Sequence, residues 1–223
     1  MITVILIGGN SQRFKEAGYQ IPKALLPIPG NWSVMEAIIK SLSPSRVIAC
    51  GRQQIRGHWD WPTHFVGGEI EYIWVGGEAR GPLYGFLDAA DWGGDLLGDW
   101  EQPLVISYCD VLFPRGAQHI LSYWAGAQSG AVVFKSQNPR FGYWRWGRVW
   151  EKKVVSQWAV SGLFYFRTAK SAIEKARRII EPGVGLPSLL DFKTKLYYTN
   201  PMEMVDLGTP QDYERFRAES VTA

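Results

Sequence analysis

The N-terminal segment of the chain combines a glycine pair with two cations. An apolar stretch, 2–7, leads directly into Gly8 and Gly9, and Arg13 and Lys23 follow within a polar loop. Glycines after a buried strand let the backbone approach a ligand, and their N–H groups can surround phosphate oxygens. Arg13 and Lys23 add positive charge beside those donors. The combination predicts a site for a nucleoside triphosphate, whereas the glycines alone would also fit an ordinary tight turn with solvated charges.

Two aspartates follow apolar stretches that lie far apart in the chain. Asp110 ends the segment PLVISYCD, and Asp206 precedes the turn Gly208-Thr209-Pro210. Carboxylates just beyond the carboxyl ends of strands lie where α/β sheets bind ligands. Two such carboxylates can share one Mg²⁺, a hard cation that takes carboxylate and phosphate oxygens. Asp110 and Asp206 are therefore the candidate metal ligands. Taken alone, Asp110 could instead cap the turn before Pro114.

A third charged segment precedes an apolar strand in the second half of the chain. Glu151, Lys152 and Lys153 come shortly before the apolar run 159–166. A lysine leading into a strand could neutralise the phosphate of a second substrate, although charge pairs in hairpin loops are usually solvated. The stretch 141–158 around this segment holds several of the 11 tryptophans. Packing, a ligand platform and a subunit surface all stay open as roles for these rings.

These residues need a framework, and apolar strands alternating with helical segments supply one. In the first half, strands are predicted over 3–7, 46–49, 70–75 and 103–108, and helices over 34–42 and 83–90. Ser33 and Glu36 form a capping-box pattern at the start of the first helix. Continuous apolar runs are typical of strands covered on both faces. The β-α-β alternation therefore predicts a mostly parallel sheet.

The second half has strand-like segments with fewer helices between them. Strands are predicted over 131–134, 143–149, 159–166 and 195–199, and helices over 169–180 and 210–218. Thr209 is the expected N-cap of the last helix. This pattern indicates antiparallel or mixed pairing. Since the sequence contains no repeat, low-complexity tract or obvious linker, a single domain over 1–223 is expected.

Composition limits the possible partners and the location of the protein. The net charge of +3 is too small to indicate a nucleic acid or an acidic membrane as partner. No apolar run is long enough to span a bilayer, and no signal peptide is apparent. Cys50 and Cys109 do not suggest a disulfide framework and suit a reducing compartment. A cytoplasmic location is therefore expected.

Several segments together resemble the sugar-phosphate nucleotidyltransferase family, also called the NDP-sugar pyrophosphorylases. LIGGNSQRF followed by PKALLPI is similar to the family opening L-A-G-G-x-G-T-R-L/F and P-K-x-L. VISYCDVLF resembles the central strand end with its aspartate, EKKVVSQWAVSGLFYF the E-K-P region, and VDLGTPQDY the closing D-x-G-T turn. The matches keep their order from about residue 5 to residue 216. The resemblance implies a Rossmann-like α/β fold with a mixed, mostly parallel central sheet flanked by helices.

The resemblance also implies a reaction and roles for individual residues. A short family member of this kind would transfer a nucleoside monophosphate from a triphosphate to a sugar phosphate, with Mg²⁺, and release pyrophosphate. The product would serve surface polysaccharide synthesis, and a homo-oligomer is possible. The implied nucleotide-binding residues are Gly8, Gly9, Asn10, Ser11 and Gly81; the catalytic residues Arg13 and Lys23; the metal ligands Asp110 and Asp206; and the acceptor-binding residues Glu151, Lys152 and Gly162.

The sequence departs from the family pattern at a few positions, which leaves two alternatives. Ser11 stands where the loop has a later glycine, Gln12 replaces threonine, and Lys153 replaces the proline after Glu-Lys. A non-catalytic nucleotide-binding relative is one alternative, which Ser11 keeps open. A glycosyltransferase of related architecture is the other. Such enzymes tend to carry Asp-x-Asp, and Asp110 is followed by Val111 and Leu112 instead.

Overall fold

The computed structural model describes residues 1–9, 11–58, 60–77, 80–92, 101–181, 184–200 and 202–221. The strands are β1 (Ile2–Leu6), β2 (Pro27–Ile28), β3 (Trp32–Ser33), β4 (Arg46–Arg52), β5 (His64–Phe65), β6 (Gly68–Val75), β7 (Leu104–Tyr108), β8 (Val111–Leu112), β9 (Ser129–Lys135), β10 (Gly142–Arg145), β11 (Arg148–Glu151), β12 (Trp158–Phe166), β13 (Lys195–Thr199) and β14 (Val205–Asp206). The helices are α1 (Gln12–Glu16), α2 (Val34–Leu42), α3 (Pro82–Trp92), α4 (Gln118–Tyr123), α5 (Ala169–Ile179) and α6 (Pro210–Val221).

The first half of the chain forms the parallel part of the central sheet. Strand β1 lies between β4 and β7, and β6 continues the sheet beyond β4, all in parallel. Every residue of β1 is buried, as expected for a strand whose two faces are both covered. Because parallel strands end at the same edge, the segments that follow β1, β4 and β7 meet there. The mostly parallel sheet predicted for this half is confirmed.

The second half adds mixed pairing, as its sequence predicted. Strand β12 runs antiparallel to both β7 and β9, and β13 pairs in parallel with β9. The prediction of one strand over 143–149 was wrong, because the chain reverses at Trp146 and Gly147. These two residues have positive φ angles and join β10 to β11 as a hairpin. Strand β11 is the outermost strand on this side of the sheet.

Helices cover both faces of the sheet and complete two cores. Side chains of α2, α4 and α6 pack with Ile5 and Val105 on one face. Side chains of α3 and α5 pack with Val4 and Ile106 on the other face. The capping box at the start of α2 forms as predicted, with Ser33 accepting from the Glu36 amide at 3.2 Å. The predicted flanking of a mixed, mostly parallel sheet by helices is confirmed.

Two smaller features, a short strand pair and a bulge, position candidate site residues. The short antiparallel pair β8 and β14 sets Asp206 opposite Val111, the residue after Asp110. A bulge interrupts β12 between Val160 and Phe164. Short helices α1 and α4 were not predicted, since five or six residues show too little periodicity for a helical pattern. Among the described residues, no helix is long and apolar enough to cross a bilayer.

Candidate functional site

A cavity of about 300 Å³ lies at the carboxyl edge of the parallel strands. Its lining includes Gly8, Gly9, Lys23, Gly81 and Asp110, and we refer to it as the glycine cavity. All five residues were predicted site residues, and they come from three separate segments of the sequence. They follow β1, β6 and β7, and the parallel pairing of these strands through β4 brings them together, because each strand delivers its following loop to the same edge.

The loop after β1 has the open backbone that a phosphate group requires. A side chain on Gly9 would meet no atom within 4 Å, and one on Gly8 would reach Cγ of Arg52 at 3.6 Å. Ser11 has a left-handed backbone, with φ of 49° and ψ of 32°, which explains why glycine is usual at this position. Its hydroxyl accepts a weak hydrogen bond from the backbone amide of Lys23 at 3.4 Å. Asn10, the remaining predicted nucleotide contact of this loop, lies outside the described residues.

Lys23 and Asp110 form a close ion pair inside the glycine cavity. The distance from Lys23 Nζ to Asp110 Oδ2 is 2.6 Å. Burial by itself lowers the pKa of Lys23, but the charge of Asp110 and the hydrogen bond to it outweigh burial and raise that pKa above its usual value. Lys23 therefore carries a fixed positive charge at the end of β7.

A second, smaller cavity of about 180 Å³ lies beside the first. Arg13, Asp110, Arg140, Glu151 and Asp206 all line it, and we refer to it as the arginine cavity. Four of these five residues were predicted from the sequence, and Arg140 was not. Asp110 lines both cavities. These predicted site residues therefore line two neighbouring cavities that share the Asp110 carboxylate.

Arg140 joins two acidic residues at the border of the arginine cavity. Its Nη2 lies 2.5 Å from Asp206 Oδ2 and 2.9 Å from Asp212 Oδ2. Burial and the nearby charge of Asp110 raise the pKa of Asp206, and Arg140 opposes that rise. Burial also disfavours the charge on Asp212, but hydrogen bonds from Thr209 and Arg140 lower its pKa overall. The second half of the site is thus an assembly of charged side chains.

Asp110 and Asp206 fit a divalent cation as two oxygen ligands. A Cβ on Gly208 would lie 2.7 Å from Asp206 Oδ1 and 3.5 Å from Asp110 Oδ2, so the two carboxylates flank the same point. Within the described ranges, no cluster of three or more His, Cys, Asp or Glu could hold a metal. Mg²⁺ is commonly held by one or two carboxylates together with substrate phosphates, so two protein ligands suffice.

Glu151 points into the arginine cavity from strand β11, whereas Lys152 does not line it. The Glu151 carboxylate is half-buried beside Gly142 and Gly185, where an added side chain would collide with its oxygens. Burial raises the pKa of Glu151, and the charge of Lys152 partly opposes this. Lys152 itself is exposed, has a positive φ of 52°, and is not among the residues lining either cavity.

Tyr108 forms a wall common to both cavities, and Gly162 makes room for it. Gly162 lies in the β12 bulge with φ of 101°, and an added Cβ would lie 2.5 Å from Cδ2 of Tyr108. Val160 and Ser161 line the arginine cavity, whereas Gly162 supports the ring from behind. Burial raises the pKa of Tyr108 well above its usual value, so its hydroxyl stays neutral.

A match to a known protein family shows which family the chain belongs to. The model of the MobA-like NTP transferase domain matches residues 3–190. The chain belongs to this family. It is a nucleotidyltransferase, as the resemblance stated above implied, and nucleotide binding follows from the same membership. A comparison with curated proteins gives no match.

Several solved structures share the fold of this nucleotidyltransferase. A nucleoside-diphosphate-sugar pyrophosphorylase from Vibrio cholerae RC9 is 16% identical, with 98% of this chain and 100% of that chain covered and a TM-score of 0.75. A putative glucose-1-phosphate thymidylyltransferase from Bacillus anthracis, in complex with a sucrose, is 15% identical, with 99% and 95% covered and a TM-score of 0.79. A UTP-bound UGPase from Acinetobacter baumannii is 14% identical, with 98% and 92% covered and a TM-score of 0.76. These likenesses confirm the fold class.

Two arginines of the nucleotidyltransferase were missed in the sequence. Arg52 is buried, lines the glycine cavity, and lies 3.3 Å from the Gly76 carbonyl and 3.4 Å from Asp88 Oδ2. Its position at the carboxyl end of a strand could have indicated it, but β4 was predicted to end at residue 49 and in fact runs to Arg52. Arg140 gave no comparable signal, since both of its acidic partners lie more than 60 positions away.

Proposed function

We propose that this nucleotidyltransferase transfers a nucleoside monophosphate from a triphosphate to a sugar phosphate or a similar small phosphate ester. The observation that carries the proposal is the shared wall of the glycine and arginine cavities, formed by Asp110 and Tyr108. A nucleotide in one cavity and a phosphorylated acceptor in the other would meet at Asp110. The UTP and the sucrose named for two structural neighbours support a nucleoside triphosphate and a sugar as ligands.

The proposed reaction is displacement at the α-phosphorus. An oxygen of the acceptor phosphate attacks, a new P–O bond forms, and the bond from the α-phosphorus to the bridging oxygen of pyrophosphate breaks. The acceptor phosphate is already ionised at neutral pH, so the step needs no general base. Catalysis then rests on positioning the two substrates and neutralising their charge.

Residues of the glycine cavity would bind and neutralise the triphosphate. Gly8 and Gly9 line the cavity and carry no side chain that would keep a phosphate away, so their backbone amides would donate to phosphate oxygens. Lys23 would contact the phosphates around the reacting centre, and Arg13 would approach them from the arginine cavity. Gly81, whose φ of 107° turns the chain into α3, would lie against the base.

Asp110 and Asp206 would hold the Mg²⁺ of this proposal. When bound, the ion neutralises charge on the triphosphate and helps to align it for attack. Lys23 and Arg140 now occupy the positions beside these carboxylates as cationic partners. Each carboxylate would exchange part of its ion pair for the metal, and Lys23 and Arg140 would then be free to contact substrate phosphates.

Residues of the arginine cavity would receive the acceptor. Arg140 lines the cavity with a planar guanidinium that suits a phosphate group, and Glu151 offers acceptor oxygens for hydroxyl groups. Gly162 would shape the pocket through Tyr108. Lys152 is exposed beside the cavity, and its side chain would need to turn inward to bind the acceptor phosphate. The product, made in the cytoplasm, would supply surface polysaccharide synthesis.

Pyrophosphate release tests the proposal directly. The purified chain is incubated with each of the four common nucleoside triphosphates, Mg²⁺ and a panel of sugar phosphates, and phosphate is measured after pyrophosphatase treatment. Release that needs both a triphosphate and an acceptor is the expected result. Nucleotide binding by calorimetry without release from any pair would contradict the proposed acceptor class. Mn²⁺ in place of Mg²⁺ and a chelator control test the metal requirement.

A further inference from the structure

The turn between β10 and β11 carries a large aromatic residue in a conformation that favours small ones. Trp146 and Gly147 have φ angles of 51° and 74°, and they form the two-residue turn of the hairpin. Such turns strongly prefer Asn-Gly or Asp-Gly, because both central residues need positive φ. A bulky residue with positive φ is strained. Trp146 is also 77% exposed, so apart from the Arg145 guanidinium stacked on its ring, packing offsets little of that strain. Folding alone gives no reason for tryptophan here.

A second exposed aromatic residue lies against the same turn. An added Cβ on Gly147 would lie 2.8 Å from Cβ of Phe192, so the hairpin turn touches the loop between Leu190 and Thr194. Phe192 is 79% exposed. Two protruding apolar rings from separate segments thus belong to one surface.

Cations lie beside these two rings and at the far end of the same hairpin. Five exposed Lys and Arg side chains lie on the turn, on the end of β11 and beside Phe192, and none forms an ion pair with a carboxylate of the described residues. Two carboxylates lie near these cations: Glu151 lines the arginine cavity, and Asp191, next to Phe192, pairs with Lys175 at 2.5 Å. We call this surface the hairpin patch, comprising Arg145, Trp146, Arg148, Lys152, Lys153, Phe192 and Lys193. The overall net charge of +3 conceals this local excess.

We propose that the hairpin patch binds the surface of an anionic lipid bilayer. Trp146 and Phe192 would enter the headgroup region, and the five cations would contact acidic lipid headgroups. Aromatic rings favour the membrane–water interface, and clustered cations are attracted to an acidic leaflet. Combining an inserted apolar group with a basic patch is what stable peripheral attachment requires. The strain at Trp146 is then explained by an interaction outside the folded chain.

Two other partners fit the patch less well. Single-stranded nucleic acid would stack its bases on exposed rings, but the Arg145 guanidinium lies 3.9 Å from the centre of the Trp146 ring and covers one face. A second copy of the chain would bring an equal group of cations against this one, which is unfavourable without intervening anions. An anionic bilayer accommodates both the protruding rings and the charge.

Vesicle binding tests the proposal, using the purified full chain. Sedimentation with phosphatidylcholine vesicles is compared with sedimentation with vesicles containing about 30% phosphatidylglycerol, and the anionic vesicles should bind markedly more protein. Replacing both Arg145 and Arg148 by Gln should lower the partition coefficient about 30-fold. Brominated lipids should quench tryptophan fluorescence of the wild-type chain.

Trp146→Asn separates a binding role from a structural one. Asparagine suits the turn, so this variant should melt at the same temperature as wild type or higher, yet bind anionic vesicles about tenfold less. Trp92→Ala is the matched control, because Trp92 is 76% exposed on α3, away from the patch. Equal binding by wild type and Trp146→Asn would overturn the proposal. The proposal would also be overturned if the wild-type chain bound a single-stranded oligonucleotide more tightly than anionic vesicles. A wild-type dimer that Trp146→Asn abolished would overturn it as well.

Discussion

The glycine cavity and the arginine cavity share a wall but are built differently. The glycine cavity is formed at the ends of four parallel strands, β1, β4, β6 and β7, and several glycines line it together with charged side chains that include Lys23, Arg52 and Asp110. The arginine cavity is formed by charged side chains from a hairpin, a loop and the β8–β14 pair. Strand topology brings the backbone of the first together. The second depends on ion pairs between residues distant in sequence, and substitutions can test this difference.

The largest effect is expected where the two cavities meet. Asp110→Asn should lower turnover by about a thousandfold or more, because it removes a carboxylate that lines both cavities and belongs to the proposed metal site. Steady-state pyrophosphate release measures this. Circular dichroism establishes that the variant is folded, and Asp91→Asn, which changes an exposed carboxylate, serves as the control. Near-normal turnover in Asp110→Asn would contradict the proposal that the two substrates meet at Asp110.

A large but one-sided effect is expected for Arg140. Arg140→Ala should lower kcat/KM for the acceptor by about a hundredfold, while the Kd of the triphosphate changes about threefold or less. Arg140→Lys should recover part of the loss, since the charge is kept without the planar pair of donors. Calorimetry gives the Kd, and Arg177→Ala provides a control at an exposed ion pair. Equal losses for both substrates would show that the two cavities do not act separately.

A moderate effect on stability is expected at Ser11. Ser11→Val should destabilise the fold by about 1–2 kcal/mol, because a β-branched residue is poorly suited to the left-handed conformation. Ser11→Gly should keep the fold at least as stable and retain activity. Urea unfolding and pyrophosphate release are measured on both variants. If Ser11→Gly lost activity while folding normally, the hydroxyl rather than the backbone conformation would be what this loop requires.

The pH dependence of stability should change in a defined direction at Glu151. Burial raises its pKa in the folded state, so the protonated form is favoured and stability declines as pH rises through that pKa. Glu151→Gln should therefore melt at a higher temperature than wild type at pH 7, and the difference should shrink towards pH 4. Melting curves at both pH values decide this. A constant difference across the range would contradict the assigned cause.

The smallest effect is expected for Lys152. Its side chain is exposed outside both cavities, so Lys152→Ala should change kcat/KM for the acceptor by about threefold or less. Lys153→Ala is the neighbouring control, and the same kinetic assay serves for both. A loss as large as that of Arg140→Ala would mean that Lys152 enters the arginine cavity when the acceptor binds.

The sequence was most informative where chemistry follows directly from a strand. Gly8, Gly9 and Asp110 were found because each comes just after a continuous apolar run, and the parallel pairing then determines their meeting point. The capping box at α2 was equally local, since Ser33 and Glu36 are three residues apart. Such features depend on neighbours in the chain, so a single sequence contains them.

The sequence was least informative where contacts join distant segments. Arg140 depends on Asp206 and Asp212, which reach it through the β8–β14 pairing and the start of α6. The hairpin at Trp146 was missed because tryptophan gives no turn signal, although positive φ at two consecutive residues makes the turn. At Arg140 the contacts come from distant segments, and at Trp146 the backbone adopts a turn that its residue type does not predict.

The bulge at Gly162 has a consequence for redesigning this enzyme. Both its φ of 101° and the ring of Tyr108 exclude a side chain at that position. The backbone at Gly162 therefore fixes the position of the Tyr108 ring, which separates the two cavities. Point substitutions elsewhere on the surface leave this position unchanged. To enlarge the acceptor pocket, Tyr108 should be replaced by a smaller residue while Gly162 is kept.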